Sequence, residues 1–411
     1  VDIPADADGH IDLHALEREL TRYAHRPLRI GSFSAASNVT GIITDTDAVT
    51  RILHAQGALA FWDFAAAGPY VEVRMTPGPG RDPAARKDAV FLSPHKFIGG
   101  PGSPGVLAVR RDLVRNRVPV VPGGGTVQYV SPGEHVYIED VEHREEGGTP
   151  AIVEAIRAGL VVQLKQAVGV DLIRAREEAV LRRAFERWRS NPAIQILGNL
   201  DAERLAIVSF TVRRVDDGVP GALVHHNFVV ALLSDLFGIQ TRGGCSCAGP
   251  YGHRLLGIGP DRSHAFERQI LRGYEGIKPG WVRINLNYFV PDPVVDYILE
   301  AVDMVARDGW RLLPDYRFDP CTGLWRHRRG SGGSGENPLR LTDIEYDRSG
   351  RMVYPHRRER APQSDLPGYL EEARAIFAKA PEAGAARLTA PRVSPDFEEL
   401  LWFDLPDGCL R

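Results

Sequence analysis

The run Asp88-Ala-Val-Phe-Leu-Ser-Pro-His-Lys-Phe-Ile-Gly-Gly-Pro-Gly-Ser-Pro-Gly105 restricts what this chain can become more than any other stretch. Its apolar part, Ala89 to Leu92, is too short for a helix and suits a buried strand. Pro94 lacks the N–H that a sheet ladder needs, so the strand stops there and Ser93, His95 and Lys96 follow its carboxyl end. Open α/β sheets bind their ligands at that edge. A lysine beside glycines is ordinarily a solvated surface group, so the rest of the chain has to supply the reason to treat Lys96 otherwise.

The sequence on the amino-terminal side repeats the arrangement. An apolar segment, Leu28 to Phe33, runs into the polar turn Ser34-Ala-Ala-Ser-Asn-Val-Thr-Gly41. A helix is predicted from Thr46 to Gln56, capped by Asp45 and ended by Gly57, and a second strand from Ala58 to Asp63. Strands alternating with helices predict a parallel sheet covered on both faces. Asn38, Asp63 and Lys96 then follow the ends of strands in one sheet and face one crevice.

Past the apolar segment Gly105 to Val109, two small-residue turns appear, Val121-Pro-Gly-Gly-Gly-Thr126 and Glu145-Glu-Gly-Gly-Thr-Pro150. Helical spacing over 151–168 and a basic amphipathic pattern over 171–190 read as a connector, its charged face solvated. The next segment alternates again: strands near 194–197 and 205–212, a helix over 222–237, a loop holding Arg242, Cys245 and Cys247, a strand over 281–286 and a helix over 294–308. The division expected is 1–165 for a large cofactor-binding domain and connector, 166–312 for a smaller domain with the cysteine loop, and 313–411 for an extension packed on the body. Within that extension Arg326 to Gly335 reads as a flexible linker and 366–378 as a helix.

Composition narrows the function classes. The chain has 411 residues, 43% hydrophobic and 25% charged, with net charge −3, which gives no basic excess to recruit nucleic acid. No apolar run approaches the length of a membrane span, and Val1 to Gly9 has neither the basic nor the apolar part of a signal peptide. The four cysteines, Cys245, Cys247, Cys321 and Cys409, are too few and too unevenly spaced for a disulfide scaffold or a four-cysteine zinc site, so no metal is expected. A reducing, cytoplasmic setting is the expectation.

A lysine, an aspartate and small-residue turns at strand ends suit pyridoxal phosphate. The amine must bond the cofactor aldehyde, the aspartate must keep a proton on the pyridine nitrogen, and the phosphate needs N–H groups, a hydroxyl or an imidazole at a turn. The sequence resembles the class V aminotransferase family of fold-type I pyridoxal phosphate enzymes, and within it the cysteine desulfurase and selenocysteine lyase branch. The resemblance runs over Val1 to Asp308. Ser37-Asn-Val-Thr-Gly41 is similar to the family's Ser-Asn-Val-x-Gly turn, which implies that Asn38 lies against the ring and the substrate carboxylate. Asp63 stands where the family keeps its pyridine-nitrogen aspartate. Ser93, His95 and Lys96 match Ser-x-His-Lys, in which Ser and His contact phosphate and Lys holds the cofactor covalently. Gly123-Gly-Gly-Thr126 and Gly148-Thr-Pro150 resemble two family turns, and the second implies that Thr149 reaches the phosphate of a neighbouring subunit in a homodimer. Arg242-Gly-Gly-Cys-Ser-Cys-Ala-Gly-Pro250 looks like the family's cysteine loop, placing Cys247 at the persulfide position and Arg242 near the substrate. Arg283-Ile-Asn-Leu286 looks like the Arg-x-Ser-Leu strand, whose arginine clamps the substrate carboxylate.

Departures qualify what the resemblance implies. Ala66 occupies the position of a family glutamine that hydrogen-bonds the cofactor's phenolic oxygen. The family's phosphate-cradling turn and ring-stacking residue precede the point where this chain starts. The stretch between Gly252 and Lys278 is longer than the family spacing and reads as a lid or interface insertion. The function expected is therefore a pyridoxal phosphate enzyme acting on a small amino acid, most like a desulfurase with a sulfur-acceptor protein as partner. The alternatives are a class V aminotransferase, epimerase or lyase making no use of Cys247, and a catalytically silent binding or scaffold protein.

Overall fold

The structure is a computed structural model, and it describes residues 1–216, 218–330, 341–353, 361–380 and 393–405. Contacts divide the chain into two compact units, Val1–Ala179 with Asp201–Leu205, and Val180–Leu200 with Ala206–Arg411.

The first unit opens with helix α1, Leu13–Arg22, which the reading from Leu28 onward missed. Its signal was local: Asp12 accepts the Ala15 N–H at 2.8 Å, and Leu16 and Leu20 fall on one buried face. Strands β1 (Ile30–Ser34), β2 (Leu59–Asp63) and β3 (Ala89–Leu92) are adjacent and parallel, with β4 (Val106–Val109) antiparallel at the edge. Helix α2, Thr46–Ala55, crosses between β1 and β2, started by Asp45, which accepts the N–H groups of Asp47 and Ala48. Trp62, fully buried, ties β2 to α2 by donating its indole N–H to Thr50 Oγ1 at 2.9 Å. Losing a core aromatic of this kind typically costs about 3–5 kcal/mol.

The amino-terminal ends of these strands are pinned by Asp88, whose side chain is 0% exposed. It accepts from the Ala60 N–H at 2.7 Å, from His54 Nε2 at 2.8 Å and from Arg110 Nη1 at 2.6 Å. Burial alone would raise this carboxyl's pKa, but the bonds from Ala60, His54 and Arg110 outweigh it and hold the pKa below the usual carboxylate value. The unit continues through the hairpin β5 (Val127–Val130) and β6 (His135–Tyr137), a one-turn helix α3 (Val141–Arg144), and α4 (Ile152–Val168). Helix α5, Val170–Trp188, carries the chain across the boundary between the units.

The second unit is an antiparallel sheet. Strands β7 (Ile194–Ile196), β8 (Ile207–Asp216) and β9 (Val219–Val224) are joined by β10 (Arg242–Gly244) and β11 (Trp281–Asn285) in the order β10-β11-β8-β7, with β9 also on β8. The segment from Ala222, expected as helix, is therefore strand as far as Val224, and helix α6 is His226–Phe237. The stretch expected as a lid holds α7 (Gly249–Leu255) and α8 (Pro260–Leu271), and it sends Phe266 and Ile277 into the core of this unit. Helix α9, Asp292–Asp308, buries Val295, Leu299, Val302 and Met304 in the same core.

Residues after 313 contribute to that core directly. Strands β12 (Tyr316–Phe318) and β13 (Trp325–His327) form a hairpin, and α10 (Leu366–Lys379) and α11 (Pro395–Glu399) follow. Phe318, Trp325, Phe377, Phe397 and Phe403 are all buried. Of the segment expected as a linker, Arg326 and His327 are strand residues, and residues 331–335 lie outside the described residues.

Around His225 and His226, at the start of α6, Phe318, Trp325, Trp402 and Phe403 form an aromatic shell. The two imidazoles stack at 4.3 Å, and Trp402 lies parallel to His226 at 5.8 Å. His225 Nδ1 accepts from the Asn227 N–H and from the Trp325 indole N–H, so Nε2 carries the proton and donates to the Gly276 carbonyl. Burial pushes both pKa values down, His226 to about 3, and the pair is neutral in the folded protein. The unfolded chain takes up protons at these histidines below pH 6.5, whereas the folded one does not. Stability that is complete above that value is therefore lost as the pH falls from 6.5 toward 3. Urea unfolding followed across this range is expected to show a midpoint falling with pH, with a shallower slope in His226→Asn.

Candidate functional site

Each loop after a parallel strand is built by a local device. After β1, Ser37 Oγ accepts the N–H groups of Val39 and Thr40, each at 3.1 Å, and Gly41 closes the turn at φ 77° by donating to the Ser37 carbonyl. Asn38 sits half-buried in that turn. After β2, Asp63 is exposed, and its Oδ1 accepts the Ala65 N–H at 2.6 Å. After β3, Pro94–Lys96 forms a single tight turn in which Lys96 N–H reaches the Ser93 carbonyl at 3.0 Å. Pro94 and Phe97 are buried and act as anchors, which leaves His95 and Lys96 exposed between them.

The strand register lines these loops up. Ser34 pairs with Asp63 and Asp63 with Phe91, so all three loops leave the sheet at one edge. Gly100 shows why glycines must follow Lys96: a Cβ there would lie 2.0 Å from the Pro94 carbonyl oxygen, inside the turn that presents the lysine.

Helix α4 braces two of the loops. Arg157 Nη1 donates to the Pro101 carbonyl at 2.7 Å, and Lys165 Nζ donates to the carbonyls of Gly68 at 2.6 Å and Val71 at 2.5 Å. Lys165 also lies 5.7 Å from the Phe97 ring centre. Burial lowers its pKa to about 8, with Glu72 opposing. Nothing in the spacing marks this lysine, because its carbonyl partners are distant in sequence. The two glycine turns expected near the cofactor phosphate meet each other, since the Gly148 N–H donates to the Gly124 carbonyl at 2.7 Å, and Thr149 beside them is exposed.

The second unit holds the remaining candidates. Arg242 on β10 is directly opposite Arg283 on β11, and Arg283 is opposite Ser209 on β8, so the two guanidiniums belong to one face of the sheet. Gly244, at φ 105°, then leads into Cys245-Ser-Cys-Ala248, closed by Ala248 N–H to the Cys245 carbonyl at 3.1 Å. Ser246 and Cys247 have φ values of 52° and 58°, which makes this a type I′ turn with two non-glycine residues in the left-handed region. Such backbone costs of order 1–3 kcal/mol per residue and gathers at functional sites. Cys247 is exposed, and Arg242 Nη2 points at its Sγ from 3.4 Å. Cys245 and Cys321 are also free thiols, and Cys409 lies outside the described residues.

The aminotransferase class-V family model matches residues 1–260. The chain belongs to the class V aminotransferase family. Among its class V relatives are probable cysteine desulfurases of Streptomyces coelicolor, 29% identical over 244 residues, and of Halobacterium salinarum, 29% identical over 256 residues. These alignments cover 59% and 62% of this chain and 53% and 56% of the relatives, so the chain spans about half the length of the relatives it matches. Among solved structures, an apo cysteine desulfurase from Thermococcus onnurineus superposes with a TM-score of 0.58 at 24% identity, covering 74% of this chain and 66% of that one. At this identity the likeness concerns the fold, which is that of fold-type I pyridoxal phosphate enzymes. Among the described residues no group of three or more His, Cys, Asp or Glu is placed to hold a metal ion, and no helix is long and apolar enough to cross a membrane.

Proposed function

We propose that the chain is a pyridoxal phosphate-dependent enzyme acting on a small amino acid, most like a cysteine desulfurase or selenocysteine lyase. What carries this reading is the donor set at one edge of one parallel sheet: the Asp63 carboxylate, the Ser93 hydroxyl, the His95 imidazole and the Lys96 amine. The set fits the cofactor's chemistry group by group. Asp63 would keep the pyridine nitrogen protonated, Ser93 and His95 would meet the phosphate, and Lys96 would hold the aldehyde carbon. When bound, the cofactor supplies an electron sink for charge developing at the substrate's α-carbon.

Lys96 would then take a proton from that carbon and return it, and Asn38 would lie against ring and substrate. Arg242 and Arg283 sit side by side on β10 and β11. Their adjacent guanidiniums suit a substrate carboxylate, which the Arg283 fork would take bidentately. Thr149 would serve the phosphate of a second subunit in a homodimer. Cys247 would receive sulfur or selenium and pass it to an acceptor protein in a cytoplasmic setting.

Ala66 favours a second reading, since it has no group to offer the cofactor's phenolic oxygen: a class V aminotransferase, epimerase or lyase that leaves Cys247 unused. Supplying L-cysteine to the cofactor-loaded protein separates the two. With dithiothreitol present to reduce the Cys247 persulfide and release its outer sulfur, the desulfurase reading expects sulfide and alanine in equal amounts. It also expects Cys247→Ser to keep its colour while sulfide release drops roughly 10³-fold or more, as when the nucleophile of a covalent mechanism is removed. Colour without alanine rejects desulfuration, and a protein that stays colourless with added cofactor rejects the enzyme reading altogether.

A further inference from the structure

Cys245 has no part in the function proposed above, yet it shares one tight turn with Cys247. We infer that Cys245 and Cys247 are a redox modification site, forming a reversible disulfide when a hydroperoxide oxidises Cys247.

Proximity comes from the backbone. The Ala248 N–H to Cys245 carbonyl bond at 3.1 Å makes the cysteines the first and third residues of the turn. A turn this tight holds such Cα atoms at roughly 5.5 Å, inside the ~4.4–6.8 Å span that disulfides bridge. Ser246 between them is 3% exposed and anchors the turn, while Cys247 is exposed and Cys245 half-exposed, so small oxidants reach both. Arg242 distinguishes the two thiols, because its Nη2 is 3.4 Å from Cys247 Sγ. A reactive cysteine needs a cationic neighbour and access to solvent, and a redox-sensing one needs a resolving thiol beside it. Cys321, also exposed, lies in the β12–β13 turn, a different loop.

The chemistry balances in two steps. The Cys247 thiolate attacks an oxygen of the hydroperoxide, the O–O bond breaks, and the leaving oxygen departs as alcohol or water with the thiol's proton. The sulfur is left as sulfenic acid. The Cys245 sulfur then attacks Cys247 Sγ, the S–O bond breaks, and hydroxide leaves with the Cys245 proton as water. Two thiols have given up two electrons to one peroxide, and an external dithiol reverses the change. The site does not depend on the desulfurase reading; where that reading holds, the disulfide also removes Cys247 from sulfur transfer.

The test treats the full chain with hydrogen peroxide, alkylates it with iodoacetamide, and weighs the tryptic peptide Gly243–Arg254. The expected result is a peptide lighter by one pair of hydrogen atoms, with both thiols lost to alkylation, both recovered by dithiothreitol, and Cys321 alkylated throughout. In Cys245→Ser, whose fold is checked by thermal melting, Cys247 is expected to accumulate as sulfenic acid trapped by dimedone and to go on to sulfinic acid. The wild-type readout stands even where a variant fails to fold. Sulfinic acid at wild-type Cys247 with Cys245 still alkylated would overturn the proposal. So would pairing of either thiol with Cys321, with Cys409 or with a second molecule.

Discussion

Lys96→Ala is expected to abolish the visible absorbance of the cofactor-loaded protein and to lower kcat/KM by at least roughly 10³-fold. Proton transfer by a positioned side chain alone contributes about 10²–10⁴. The lysine also provides the covalent attachment. Because Lys96 is exposed at the end of its turn, its removal should change the unfolding free energy of the cofactor-free protein by no more than about 0.5 kcal/mol. The melting curve and the spectrum therefore report different things. A variant that keeps colour and turnover places the chemistry elsewhere and returns Lys96 to the ordinary surface lysines. Lys96→Arg keeps the charge without an amine that can bond an aldehyde, and it should behave as the alanine variant does.

Asp88→Ala should lower the stability of the first unit by about 3–5 kcal/mol, read as a lowered urea midpoint. Removing one partner of a buried ion pair leaves the other charges uncompensated. Here His54 loses its carboxylate, the Ala60 N–H loses its acceptor, and Arg110 keeps only Asp112. The pH dependence has a definite sign. The folded pKa of Asp88 is below the ordinary value of 3.8, so its contribution is complete above that value and disappears as the pH falls through the folded pKa. The wild type should lose stability in that acid window, and the variant should lack this component. An unchanged midpoint at neutral pH would show that the buried network is neutral to stability.

The first unit's candidate site was largely legible because its signals are local. An apolar run cut by Pro94 marks the end of β3 wherever the strand lies, and Asp45 and Gly57 mark the limits of α2 by their own backbone chemistry. Alternation of strands and helices then implies parallel pairing, which β1, β2 and β3 show. Where the signal was weak or absent the reading slipped. The β9 residues Val219-Pro-Gly-Ala-Leu-Val224 have no strand alternation and lean on β8 for their definition. Trp402 and Phe403 looked like part of an appendage, but aromatics without periodicity do not say which core they will fill.

Lys96 at the end of a strand, its glycine-rich exit, the turn around Asn38 and the order of the family motifs were determined by the sequence itself, since each depends on neighbours a few residues away. Tertiary structure alone decided that Arg242 faces Arg283, that Asp88 gathers His54 and Arg110, that Lys165 fastens α4 to the loop after Asp63, and that His225 and His226 are neutral within a shell of aromatics. It also decided that Cys245 and Cys247 share a left-handed turn. The physical reason is the same in each case. Strand pairing, burial and charge compensation are properties of groups brought together across the chain, and neither side chain of such a pair carries the information in its own neighbourhood.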